Sequence, residues 1–78
     1  MPSIQMVNVK TDRFYNMHIM QDMLGDWNLI RYYGGLHNRR YHELRTVHGS
    51  EGQAEVTLQQ VMKVRVGRGY KPNVAVAE

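Results

Sequence analysis

The chain has 78 residues, seven aromatics, no cysteine and a formal net charge of +3. That length supports one small domain with a modest core, and the lack of cysteine excludes disulfides and thiolate metal sites. The charge is unevenly placed. Arg31, Arg39, Arg40 and Arg45 against Glu43 make residues 31–48 basic, Glu51 and Glu55 make 49–62 acidic, and Lys63, Arg65, Arg68 and Lys71 make 63–71 basic again. Basic clusters attract phosphate backbones, although a basic run taken alone also reads as a solvated face.

Residues Met1 to Gln5 have no basic-then-apolar signal region, and no apolar run is long enough for a membrane span. The expectation is a soluble, cytoplasmic domain over residues 1–71 with a flexible tail at 72–78.

In chain order, Ile4 to Val9 alternates as a short strand near an edge, and Lys10 to Arg13 is turn-like. Phe14 to Gln21 is a second strand with Tyr15, Met17 and Ile19 on one face, and Phe14, Asn16, His18 and Met20 on the other. Asp22 to Asp26, with Gly25, makes a hairpin connection.

Trp27 to Gly34 is a third strand. Trp27, Leu29, Arg31 and Tyr33 point one way, and Asn28, Ile30 and Tyr32 the other. Periodicity alone does not say which set is core. Gly35 to Arg40 is a loop. Tyr41 to His48 is a fourth strand, low in apolar content, with one face solvated or used for binding.

The period then changes. Ser50 and Gln53 have capping-box spacing, and Glu51 suits the helix dipole. Ala54, Leu58, Val61 and Met62 share one side of a helix over about 51–66. Arg65 continues that line, its stem packed and its head in water. Gly67 is the expected C′ residue, and Tyr70 is expected to fold back on the core. The fold class is therefore α+β: an antiparallel sheet of about four strands with one long helix packed across it.

At this point the chain resembles the WGR domain, a module named for its Trp-Gly-Arg motif. The resemblance rests on Arg13-Phe14-Tyr15 at an aromatic strand start, Gly25-Asp26-Trp27, and Arg31 ahead of Tyr33-Gly34-Gly35. A helix ending near Gly69-Tyr70 completes it, so that it covers roughly residues 4 to 71. The naming motif departs from the family: Tyr33 stands in place of the Trp and Gly35 in place of the Arg. WGR domains of DNA-dependent poly(ADP-ribose) polymerases contact DNA ends, with the Trp stacking at the terminus. The resemblance implies a DNA-contacting role with Tyr33 as the stacking group. It does not carry over the signalling role of the absent Arg.

Residue chemistry agrees in kind. A tyrosine on a sheet surface can stack on a base, and strand alternation allows at most one of Tyr32 and Tyr33 to do so. Arg31, Arg39, Arg40 and Arg45 are candidate phosphate ligands, which need only a reachable charge. The four histidines lack convergent ligand spacing. No nucleophile, paired-carboxylate or phosphate-loop motif is present. The expectation is a non-catalytic nucleic-acid-binding module, DNA first, through Arg31, Tyr33, Arg39, Arg40 and Arg45, with no metal or cofactor. The rival is a protein-interaction adaptor that uses the sheet edge or a methionine-rich surface.

Overall fold

The computed structural model describes residues 3–38 and 40–72. Arg39 lies outside the described residues, as do Met1, Pro2 and residues 73–78, so the expected phosphate role of Arg39 and most of the expected tail fall there too.

Four strands follow one another as antiparallel neighbours: β1 (Ser3–Asn8), β2 (Arg13–Gln21), β3 (Trp27–Gly35) and β4 (Tyr41–His48). Helix α1 (Glu51–Gly67) comes next, and β5 (Lys71–Pro72) closes the chain against β1. The sheet has five strands in the order β4-β3-β2-β1-β5. The fold is thus α+β, as the pattern predicts, with one strand more than expected. Pro72, assigned to the tail on sequence, pairs with Met6. Two residues ending in proline carry no periodicity, which is why β5 is invisible in the sequence.

Register decides the faces. Tyr15 lies opposite Met6 and Tyr33, Met17 opposite Ile4 and Arg31, and Ile19 opposite Leu29. This set faces α1, and the core consists of Met6, Tyr15, Met17, Ile19 and Leu29 against Ala54, Leu58 and Tyr70. Ile4, Trp27, Tyr33, Val61 and Met62 pack around it. Burying such side chains is worth about 1.5–3 kcal/mol each. Among the described residues, no helix lies on the opposite face.

Both ends of α1 are closed by their own residues. At the start, the Gln53 amide donates to Ser50 Oγ at 3.1 Å, as the capping box requires. The return bond lands one residue earlier than the box predicts, because Gln53 Oε1 accepts from the Gly49 amide at 3.1 Å.

The C-terminus departs from expectation. Gly67 is the last helical residue, and the left-handed position belongs to Gly69, with φ of +98°. Tyr70 N–H donates to Arg65 C=O and Gly69 N–H to Val66 C=O, the paired bonds of a Schellman motif. This places Tyr70 over Tyr15 at 6.1 Å, edge to face. The two glycines are equivalent in composition, and only the closing bonds separate them.

Asn8 and Asp22 tie turns to this frame. Buried Asn8 accepts from the Lys10 and Thr11 amides and donates to the Arg68 carbonyl at 3.2 Å, joining the β1–β2 turn to the helix end. In the β2–β3 hairpin, Asp22 accepts from the Leu24 and Asp26 amides and from Asn28 Nδ2. The Asn28 bond is the chief reason the Asp22 carboxyl titrates below its ordinary value of 3.8. Partial desolvation opposes it, and the turn amides add to it.

Candidate nucleic-acid interface

The sheet presents its two faces differently. On the helix side, Tyr33 lies in a ladder of rings across three strands. Tyr15 stacks on it at 5.2 Å and 14°, and His42 stacks on its other side at 5.2 Å and 24°. Both faces of the Tyr33 ring are therefore covered. A base cannot stack there without displacing His42.

Arg31 and Arg65 are drawn into the same inner cluster. Arg31 Nη1 makes a long hydrogen bond of 3.4 Å to Tyr15 Oη. The Arg65 guanidinium lies 4.3 Å from the Tyr15 ring centre and 5.9 Å from that of Tyr70. The Arg65 guanidinium thus rests on rings while the residue stays half-buried, and its attraction to their π faces is worth about 0.5–2 kcal/mol. The Nε atoms of both arginines are buried with no hydrogen-bond partner among the described residues.

The helix-free face carries Val7 on β1, Phe14, Asn16, His18 and Met20 on β2, and Asn28, Ile30, Tyr32 and Gly34 on β3. On β4 it carries Tyr41, Glu43, Arg45 and Val47. Three rings touch across it, and Phe14 shares the face. His18 stacks on Tyr32 at 5.7 Å and 21°, and Tyr41 meets Tyr32 edge-on at 5.8 Å. Phe14 and Tyr41 lie opposite the two sides of Gly34. A side chain at Gly34 would meet the Arg40 carbonyl at 2.9 Å, so glycine is what lets the chain fold closely over this spot. Ile30 is only 1% exposed although no helix covers it, so the strands' own side chains make the floor of this face.

At the Gly34–Gly35 end an open cleft of about 880 Å³ is lined by Arg13, Tyr33, Gly34, Arg40, Tyr41 and His42. Neither Arg13 nor Arg40 forms an ion pair among the described residues. Arg45 lies on the helix-free face, 3.7 Å from Glu43 and half exposed.

The predicted set is therefore divided. Arg31 and Tyr33 lie on the helix side, Arg45 on the opposite face, and Arg40 at the cleft that joins them. The sequence leaves Tyr32 as the alternative to Tyr33 and does not single out Phe14, His18 or Arg13 as site residues. Their alternation was visible, but nothing in it says which face α1 covers. The remaining histidines engage local partners: His48 Nε2 is 3.0 Å from Thr46 Oγ1, and His37 Nε2 is 4.0 Å from Asp12. Among the described residues, no three His, Asp or Glu side chains converge as a metal site. No helix among them is long and apolar enough to cross a membrane.

Compared with protein-family models, curated proteins and solved structures, the chain matches none of them.

Proposed function

We propose that this chain is a non-catalytic module that binds single-stranded nucleic acid on the helix-free face of its sheet. The observation that carries the reading is the ring cluster of His18, Tyr32 and Tyr41, with Phe14 on the same face, which no helix among the described residues covers and which ends at the cleft lined by Arg13 and Arg40. A flat antiparallel sheet with surface aromatics suits splayed-out bases, since every base has a π face. Cations at the end of such a platform suit the phosphates that follow. The WGR resemblance leads to DNA as the first partner, with the stacking role passing from Tyr33 to its neighbour Tyr32. Arg45 contributes a second, weaker phosphate contact because Glu43 competes for it.

The test is fluorescence anisotropy with labelled single-stranded DNA, single-stranded RNA and a blunt duplex at two salt concentrations. Tyr32→Ala should weaken single-strand binding by about 1–3 kcal/mol and lower the melting temperature less than Tyr33→Ala does, because the ring neighbours of Tyr32, His18 and Tyr41, lie outside the core cluster. Tyr33→Ala should lower stability first, because it breaks the ladder between Tyr15 and His42. Absence of salt-sensitive binding to all three probes overturns the reading. It would favour the adaptor alternative, for which Met23 and Leu24 stand exposed at the β2–β3 hairpin tip.

A further inference from the structure

The two edges of the sheet are unlike. The described β5 edge is two residues long and carries Lys71 and Pro72, both of which discourage pairing. The β4 edge is eight residues long and contains no proline or glycine. It runs in unbroken register with β3 from Trp27↔His48 to Gly34↔Tyr41, without a bulge. Among the described residues its outer side has no partner strand, and Tyr41, Leu44 and Val47 are 59%, 41% and 62% exposed. A long, regular, partly apolar edge is a template for another strand.

We infer that the occupant is a second copy of this chain, joined β4 to β4 about a two-fold axis through Leu44 and normal to the sheet. The sequence of β4 reads as its own complement in that register. Leu44 meets Leu44 of the second copy, Glu43 meets Arg45, His42 meets Thr46, and Tyr41 meets Val47. Each charged residue finds its opposite and each exposed apolar residue an apolar neighbour, the pairs that stabilise adjacent strands.

Neighbouring registers do not share this property. An axis through Glu43 opposes the two glutamates, and one through Arg45 opposes the two arginines, both of which repel. Charges of one sign would blunt the edge. These two alternate so that a single register satisfies both.

The axis keeps both helices on the same side of a continuous ten-stranded sheet, a size within the range of open sheets. Both helix-free faces then form one surface. The interface is isologous and closed, so assembly stops at the dimer.

The test uses sedimentation velocity over a concentration series, with circular dichroism to confirm folding. The wild-type chain should sediment as a concentration-dependent dimer. Glu43→Arg places like charges at both Glu–Arg pairs, and so does Arg45→Glu. Each should weaken dimerisation about tenfold or more while the chain stays folded. Mixing these two variants should restore the dimer, because one chain then supplies two basic positions and the other two acidic ones. The double variant, with both substitutions in one chain, should also self-associate. A wild-type monomer at high micromolar concentration overturns the inference. So do folded single variants that dimerise as well as the wild type, or a mixture that fails to associate.

Discussion

Asn8 shows how one side chain holds distant parts of a small domain together. It is buried, and its amide is used in both directions, accepting from the Lys10 and Thr11 amides and donating to Arg68 C=O. Asn8→Ala removes these three part-buried hydrogen bonds at once, which costs about 1–3 kcal/mol. Denaturant titration should show that loss as a lowered midpoint with little change in slope. Asp22 makes a different kind of prediction. Its folded-state pKa lies below the ordinary 3.8, chiefly through the Asn28 hydrogen bond. A depressed pKa means the charged form stabilises the fold above the unfolded-state value, and that this contribution is lost as pH falls through the folded-state value. Asp22→Asn should therefore lower the melting temperature at pH 6. The gap from wild type should narrow as pH falls below the ordinary 3.8 and through the lowered folded-state value, where the wild-type carboxyl becomes protonated as well. A gap that stays constant with pH would mean that the turn geometry, and not the charge, does the stabilising.

The elements were legible in the sequence to different degrees, and the reasons are physical. β2, β3, β4 and α1 declare themselves by period, because each has one face in the core or at its margin: Tyr15, Met17 and Ile19 at every second residue, Ala54 and Leu58 one helical turn apart. The helix start was legible because a side chain makes the cap: Ser50 Oγ has a type and a spacing. The helix end was legible to within a residue, but its cap glycine was misplaced, because backbone geometry makes that cap and Gly67 and Gly69 are the same residue in a sequence. The candidate site was legible as a composition of tyrosine and arginine, but not as a place. Which face of β3 is free depends on where α1 crosses the sheet, and no local pattern records that. Substitution separates the two helix ends. Ser50→Ala should cost about 0.5–2 kcal/mol. Gly69→Ala should also destabilise, because its φ of +98° disfavours a side chain and an added Cβ would lie 3.2 Å from Asn8 Nδ2. Gly67→Ala, with nothing within 4 Å of the added Cβ, should be neutral or stabilising. Thermal melts of the three variants give the order directly.

At the scale of the whole molecule, charge and aromatic surface occupy different parts of one platform. The rings run from His18 and Tyr32 to Tyr41 at the β3–β4 loop end of the helix-free face, where Arg40 and, from the helix-side register of β2, Arg13 line the cleft. Two of the cations, Arg31 and Arg65, are half-buried and engaged with Tyr15, Arg31 at its hydroxyl and Arg65 over its ring. The net charge of +3 therefore overstates how many arginines a ligand meets. Salt dependence measures that number. Each phosphate neutralised on a single strand contributes about −0.7 to the slope of log affinity against log salt. Arg13→Gln with Arg40→Gln should flatten the slope by about 1.4, and should weaken all base sequences alike because phosphates carry no sequence information. Arg31→Gln should leave the slope unchanged and lower the melting temperature, since it removes an inner partner of Tyr15. Tyr32→Ala should weaken binding at every salt concentration by the same factor, because stacking releases no counterion. If the Arg31 variant flattens the slope while the Arg13 and Arg40 variant does not, the ligand lies on the helix side of the sheet, and the platform proposed here is the wrong face.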